Sequence, residues 1–310
     1  MTDYLAVCAR LPWKELVAAE CENLTGGRPE LDGVALCKSV DLIPRGAYVH
    51  TGLRLIAKAN TLDGLLQEVK GIPFSAEHFR IEHLRLAGQK LVNSREAAIA
   101  LANVIPAYPD LDTPSHRFLL IERDSGLWFG EILAEATHSY SQHDGKPYRT
   151  SASLPARLAR ALVNLAVPPA RTILDPCCGT GSILLEAQAI GVEACGVDWN
   201  TRMVGMSREN LTHFGYSAEI IFADIREVKR MADAVITDLP YGLFMHEDPI
   251  IIQEIIQHTR QLAPVAVFVS GEDLSDRLRE LGYREIEVFR VRKHKDFSRY
   301  VHRARSGGVG

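Results

Sequence analysis

The chain has 310 residues, 46% of them hydrophobic, and a formal charge of -4, which is enough apolar material for two or three packed domains. The near balance of charge excludes a global pull toward polyanions, so any nucleic-acid contact must come from a local basic face. No stretch approaches the about 20 apolar residues of a membrane span, no basic segment followed by an apolar run opens the chain, and six scattered cysteines lack a repeated C-x-x-C, so a reduced, cytoplasmic chain without a zinc site or a disulfide framework is expected.

In chain order, an apolar run from Tyr4 to Ala9 predicts a strand, and turn-spaced Leu16, Val17, Glu20 and Leu24 predict a helix that Gly26-Gly27 stops. Strands are expected at 33–38 and 47–51, and a helix from Leu53 to about Val69. That β-α-β-β-α order suits a small α+β sandwich. After Gly71-Ile72-Pro73 the pattern restarts with an alternating strand at 79–84, an Ala-rich helix at 94–104 and two strands, 117–122 and 127–133, around Asp124-Ser125-Gly126. Polar residues from Thr137 to Ser153 break all periodicity and mark the domain boundary.

Beyond it, Leu154, Leu158, Ala161, Leu162 and Leu165 place one apolar stripe on a helix with Pro155 in its first turn. Strands are then expected at 171–174, 193–197, 219–222, 234–237 and 265–270, with helices at 181–190, 201–214 and 249–262 between them. The alternation predicts a mostly parallel sheet covered on both sides, closed by a hairpin of strands at 285–291 and 299–303.

Ligands of open parallel sheets lie beyond the carboxyl ends of the strands, and four acids stand at such ends. Asp175 precedes a turn in which Gly179 and Gly181 allow close backbone approach. Asp198 can accept both hydroxyls of a ribose, Asp224 can accept from an adenine amine, and Asp238 ends the fourth strand. A dinucleotide site shares the first two features, but Leu184 stands where the third fingerprint glycine would be, and Asp175 would repel a pyrophosphate. A cationic donor, S-adenosyl-L-methionine (SAM), fits both facts. The plain structural alternative is that these acids cap helices, Asp224 most readily, while Cys177 and Cys178 read as small packing residues.

Asp238-Leu239-Pro240-Tyr241 suits a planar exocyclic amine, whose lone pair is delocalised into its ring. The Asp238 carboxylate and the Leu239 carbonyl would accept its two hydrogens, freeing the lone pair for in-line attack on the sulfonium methyl, and Tyr241 would stack on a flipped-out base. This chemistry requires no metal and no covalent enzyme intermediate. An ordinary Pro-Tyr-Gly turn is the alternative.

These residues resemble the adenine and guanine amino methyltransferases, whose fourth motif reads Asp or Asn, Pro, Pro, aromatic, with Leu239 here in place of the first proline. Together with Lys146-Pro147-Tyr148-Arg149, the helix from Ala156 to Ala166 and the run from Asp175 to Ser182, they are similar to the tRNA guanine-N2 methyltransferases that carry a THUMP domain, in particular the archaeal type acting at tRNA position 10. The resemblance implies a ferredoxin-like domain over 1–72, a compact THUMP-like domain over 73–140, a linker over 141–153, and a Rossmann-like class I SAM methyltransferase domain over 154–305 with a seven-stranded, mostly parallel sheet.

It also implies that the THUMP-like segment grips the tRNA acceptor end. That segment departs from the pattern, because Arg80, Arg85, Lys90 and Arg95 are interspersed with Glu77, Glu82 and Glu96. The hairpin is a stronger electrostatic candidate for tRNA phosphates: Arg290, Arg292, Lys293, Lys295, Arg299, Arg303 and Arg305 are accompanied only by Asp296. Of these, Arg292, Lys293, Lys295 and Arg299 are the candidate contacts, with a solvated basic surface as the alternative. The other readings of the chain are a methyltransferase for another tRNA guanine or for an adenine amine of RNA or DNA, a catalytically inactive tRNA-binding module, and a dinucleotide oxidoreductase.

Overall fold

The computed structural model describes residues 3–73, 78–240, 249–294 and 297–307. It divides into two compact units, one made of residues 1–10, 24–44 and 48–136, the other of 11–23, 45–47 and 137–310.

The first unit carries β1 (Tyr4–Cys8) and, after α1 (Lys14–Thr25), β2 (Val34–Cys37), β3 (Val49–Ala59), α2 (Leu62–Lys70), β4 (His78–Arg85), α3 (Ser94–Val104), β5 (Tyr108–Pro109), β6 (His116–Arg123) and β7 (Gly126–Glu135). All but residues 14–23 of α1 belong to this unit. Its strands form one sheet in the order β2-β1-β3-β7-β6-β4-β5. The expected helix from Leu53 is corrected here, because Leu53, Leu55 and Ala57 continue β3 and pair with Ile132, Gly130 and Phe129 of β7. The helix begins only at Leu62, where the Thr61 hydroxyl accepts from the Gly64 N–H at 3.2 Å. That same β3·β7 pairing carries a single hydrogen-bonded sheet across the break expected near residue 72. It covers an edge that β3 would otherwise leave open.

In β6 the two faces alternate with the pleat. Phe118 and Leu120 pack with Phe79, Phe129 and the helix residues Leu65 and Leu101, whereas Leu119 and Ile121 pack with Leu5, Val7 and Leu53. An unbroken apolar run is the pattern of a strand buried on both faces.

The second unit carries α4 (Ala156–Ala166), β8 (Thr172–Asp175), α5 (Ser182–Ala189), β9 (Glu193–Asp198), α6 (Thr201–His213), β10 (Glu219–Phe222), β11 (Ala234–Asp238), α7 (Pro249–Thr259), β12 (Val265–Ser270), α8 (Ser275–Glu280), β13 (Tyr283–His294) and β14 (Phe297–Ser306). The sheet order is β10-β9-β8-β11-β12-β14-β13, parallel except for β14, which pairs antiparallel with both of its neighbours. The strand order reverses direction between β8 and β11, which puts a crevice at their carboxyl ends. The short α8 has no long periodic signal, and Leu278 is its buried anchor.

Two features of this unit depart from simple patterning. α4 is buried nearly all round, not on one stripe: Arg160 pairs with Glu186 at 2.8 Å, and Asn164 donates to Glu20 at 2.6 Å. His143 shares the same Glu186 at 2.6 Å. Those polar groups are tolerated inside because each meets an opposite charge or an acceptor. The second is Leu184, which occupies the position of the missing third glycine without loss of close packing, because the neighbouring strand supplies Gly196 instead. A Cβ there would stand 2.6 Å from Leu184 Cδ1 and 2.9 Å from Cys178 Sγ.

Gly196→Ala is therefore expected to lower the free energy of unfolding by about 1–3 kcal/mol. Combined with Leu184→Ala it should cost less than the sum of the single changes. Strict additivity in urea denaturation would break this packing account.

Candidate functional site

The carboxyl edge of the second unit's sheet gathers the acids singled out above. β8 ends on Asp175 and pairs with β9, where Asp175 lies opposite Gly196 and Asp198 follows two residues later. On its other side β8 pairs with β11, which ends on Asp238. Asp175 and Asp238 thus stand on adjacent strands, one on either side of the crevice.

Asp175 is 2% exposed. Burial, reinforced by the like charges of Asp238 and Asp198, pushes its carboxyl up to about 8, against the opposing hydrogen bonds of Thr237 and the Cys177 N–H. Asp198 is 8% exposed and accepts from the Gly179 N–H at 2.9 Å and the Asn200 N–H at 2.8 Å. Desolvation raises its pKa too, and those two N–H groups act against the rise. Both glycines of the turn have positive φ, +50° at Gly179 and +79° at Gly181. A Cβ on Gly179 would meet open space, whereas one on Gly181 would collide with the Ser207 hydroxyl. The turn therefore presents bare backbone outward at one glycine and packs tightly at the other. A buried acid awaiting a cation, a second acid beside it and an open glycine turn fit an amino-acid sulfonium donor carrying a ribose.

Asp224 is placed differently. It caps the 3-10 turn Ile225–Glu227, accepting from the Arg226 N–H at 2.9 Å, and its carboxylate pairs with the Arg226 guanidinium, which holds it below the usual range. The structure gives it the capping role. Trp199, directly after Asp198, was not singled out from the sequence although it is 62% exposed. Its exposed ring could offer a stacking face beside Asp198, and an aromatic immediately after a strand-ending acid was the available signal.

Leu239 is 2% exposed and belongs to a core with Val235, Ile256 and Phe268, while its N–H donates to Val269 O at 2.9 Å. Its side chain and N–H are therefore engaged in the core, beside the carbonyl expected to meet the amine. A leucine replaces proline here because side chain and N–H both have partners. Pro240 follows, half-buried, and Tyr241 lies outside the described residues.

The basic hairpin divides. Arg303 faces Glu287 at 3.5 Å and Arg305 faces Glu285 at 2.9 Å, so part of its charge is neutralised across the strands. Arg299 is 3% exposed and donates to Ala152 O at 3.3 Å, so it does not project as a solvent-facing cation. Arg292 and Lys293 are exposed, Lys293 also donating to Ser151 O at 3.2 Å, and Lys295 lies outside the described residues.

The pH dependence of Asp175 follows from its raised pKa. Folding binds a proton at this carboxyl between pH 3.8 and about 8, so its contribution to stability is present below the unfolded value and is lost as pH rises through the folded one. Asp175→Asn should match the parent near pH 4 and exceed it in melting temperature by a margin that grows up to about pH 8. Parallel melting curves across that range would contradict the buried ionisation.

Residues 144–298 match the family model of the RMKL-like methyltransferase domain, UPF0020. The tRNA (guanine(10)-N2)-dimethyltransferase of Methanothermobacter thermautotrophicus is 32% identical over 218 residues, covering 64% of this chain and 62% of that protein. Its namesake in Pyrococcus abyssi is 32% identical over 191 residues, covering 57% and 58%. The chain thus spans about three fifths of the length of these curated relatives. Among solved structures, TrmN from Thermus thermophilus superposes with a TM-score of 0.53 at 20% identity, covering 98% of this chain and 99% of that one. SMU.472, a putative methyltransferase complexed with SAH, gives 0.51 at 15% identity, covering 100% and 99%. These likenesses establish the fold, and the sheet order, the glycine turn and the matched span together place the chain in the RMKL-like methyltransferase-domain family.

Proposed function

We propose that the chain methylates the N2 amine of a guanine in tRNA, position 10 being favoured, with SAM as donor. The observation that carries this reading is the placement of Asp238 beside Asp175 at the sheet's reversal point, which sets an amine-accepting acid next to a cation-accepting one. The curated relatives named for guanine-10 dimethylation favour guanine over adenine.

When bound, SAM supplies an electrophilic sulfonium methyl. Asp175 would ionise against its ammonium, Asp198 would accept from the ribose hydroxyls, and the Gly179 turn would lie against the donor backbone to backbone. Asp238 and the Leu239 carbonyl would accept the two amine hydrogens and stabilise the ammonium that develops during attack. Tyr241 would stack on the guanine, and Arg292, Lys293 and Lys295 would hold phosphates nearby. A ferredoxin-like and a THUMP-like part within the first unit would present the tRNA, the enzyme acting in the cytoplasm. Among the described residues, no helix is long and apolar enough to cross a membrane.

Three measurements check the assignment. On unmodified tRNA, with nucleosides resolved by mass, Asp238→Ala should cut turnover ~100-fold or more while SAM and tRNA still bind. Asp198→Ala should instead weaken SAM binding by ~1–3 kcal/mol. Near-normal turnover in the first variant would remove the amine site, and unchanged calorimetric affinity in the second would remove the ribose contact. Replacing Arg292 and Lys293 by Met together should flatten the salt dependence of tRNA binding. An unchanged slope would make this face an ordinary solvated surface.

A further inference from the structure

The stretch 141–153 reads as a linker in sequence, yet within the second unit Lys146 and Ser153 hydrogen-bond to the donor turn and Tyr148 reaches it through Asn210. The Lys146 ammonium, buried, donates to the hydroxyl of Ser182, the first residue of α5. Asn210 of α6 is fully buried; it accepts from the Tyr148 N–H at 2.9 Å and donates to Tyr148 O at 2.8 Å and to Thr180 O at 2.9 Å. Both amide hydrogens and the carbonyl of one side chain are thereby used to join the 146–153 stretch to the turn. Ser153 Oγ meets Thr180 Oγ1 at 3.0 Å. On the far side, Lys293 and Arg299 of the hairpin donate to the carbonyls of Ser151 and Ala152.

We propose that residues 146–153 are a clamp that sets the geometry of the donor turn, with Asn210 and Ser153 as its positioning residues and Arg299 holding it from the hairpin side. The inference rests on reading the Gly179–Ser182 turn as the SAM site. A turn with two glycines has little conformational stiffness of its own, and ordering it costs backbone entropy. Contacts that prepay this cost before the ligand arrives appear as affinity. Thr180 is the residue between the two glycines, and the clamp grips it through both its carbonyl and its hydroxyl. Lys146 supports the same assignment, because a buried ammonium is costly unless an acceptor meets it. Burial draws it down to about 8 against the pull of Asp144 and Glu186.

The test is calorimetric titration of the full chain with S-adenosylhomocysteine, without RNA. Ser153→Ala, which removes the hydroxyl's contact with Thr180 and its two contacts with Thr150, should weaken binding about 3- to 10-fold, and Ser153→Thr, which keeps the hydroxyl, should restore it. Asn210→Asp, which keeps the acceptor but loses both donors, should cost more than tenfold, and Arg299→Met an intermediate amount. In methyl transfer, Ser153→Ala should raise KM for SAM and leave KM for tRNA alone, a split that general loosening of the fold would not give. Parental affinity in folded Ser153→Ala and Asn210→Asp would overturn the clamp. If Asn210→Asp does not fold, the Ser153→Ala and Ser153→Thr pair decides by itself. If Arg299→Met alone is silent, the hairpin arm falls. Failure of the parent chain to bind S-adenosylhomocysteine would be a different result, removing the donor-site reading and the clamp with it.

Discussion

Three carboxylates converge on the carboxyl edge of one mostly parallel sheet, and the desolvation of Asp175 among them is the constraint on which the rest of the site depends. Asp175 is the extreme member, buried and raised to about 8 by desolvation with Asp238 and Asp198 adding to the effect. An acid in that position costs the folded chain stability whenever it is ionised. The arrangement is relieved by a ligand that brings positive charge, which is why a sulfonium amino acid suits the crevice and a pyrophosphate does not.

The sheet supplies this arrangement through register alone. Pairing of β8 with both β9 and β11 brings acids that are 23 and 63 positions from Asp175 in the sequence to the same edge. The packing of α4 includes buried polar groups. The Arg160, Glu186 and His143 group and the Glu20 and Asn164 pair are buried beneath and beside α4. Such networks contribute little net stability when complete, but loss of one member leaves a charge or amide stranded. They favour one arrangement of α4 and α5, and α5 is the helix that follows the glycine turn.

Much of the second unit was legible in the sequence because parallel strands buried on both faces are continuous apolar runs, and their ends carry acids and glycines. The alternation of strands and helices, the closing hairpin and the position of Asp175, Asp198 and Asp238 at strand ends were open to that reading, whereas the order of the strands in the sheet was not. The packing of Leu239 was hidden because a motif comparison treats it as a substituted proline, whereas its side chain joins a core with residues of β12 and α7. Arg299 was misread because a basic run looks solvated until the strand's pleat turns one member inward. The helix expected from Leu53 failed for a related reason, since Leu53, Leu55 and Ala57 fit either periodicity until β7 is present to pair with them.

By itself, the sequence determined the alternation that makes a parallel sheet, the glycine turn, and the chemical character of the crevice, since those depend on residue type and short-range spacing. Tertiary structure alone decided which of the candidate acids face each other and which is spent on its own arginine, as Asp224 is on Arg226. It also decided that the polar stretch 146–153 packs against the glycine turn. A hydrogen bond from Asn210 to Tyr148 spans 62 positions, and no local pattern of polar residues distinguishes a solvated linker from one whose backbone finds its partners across the fold.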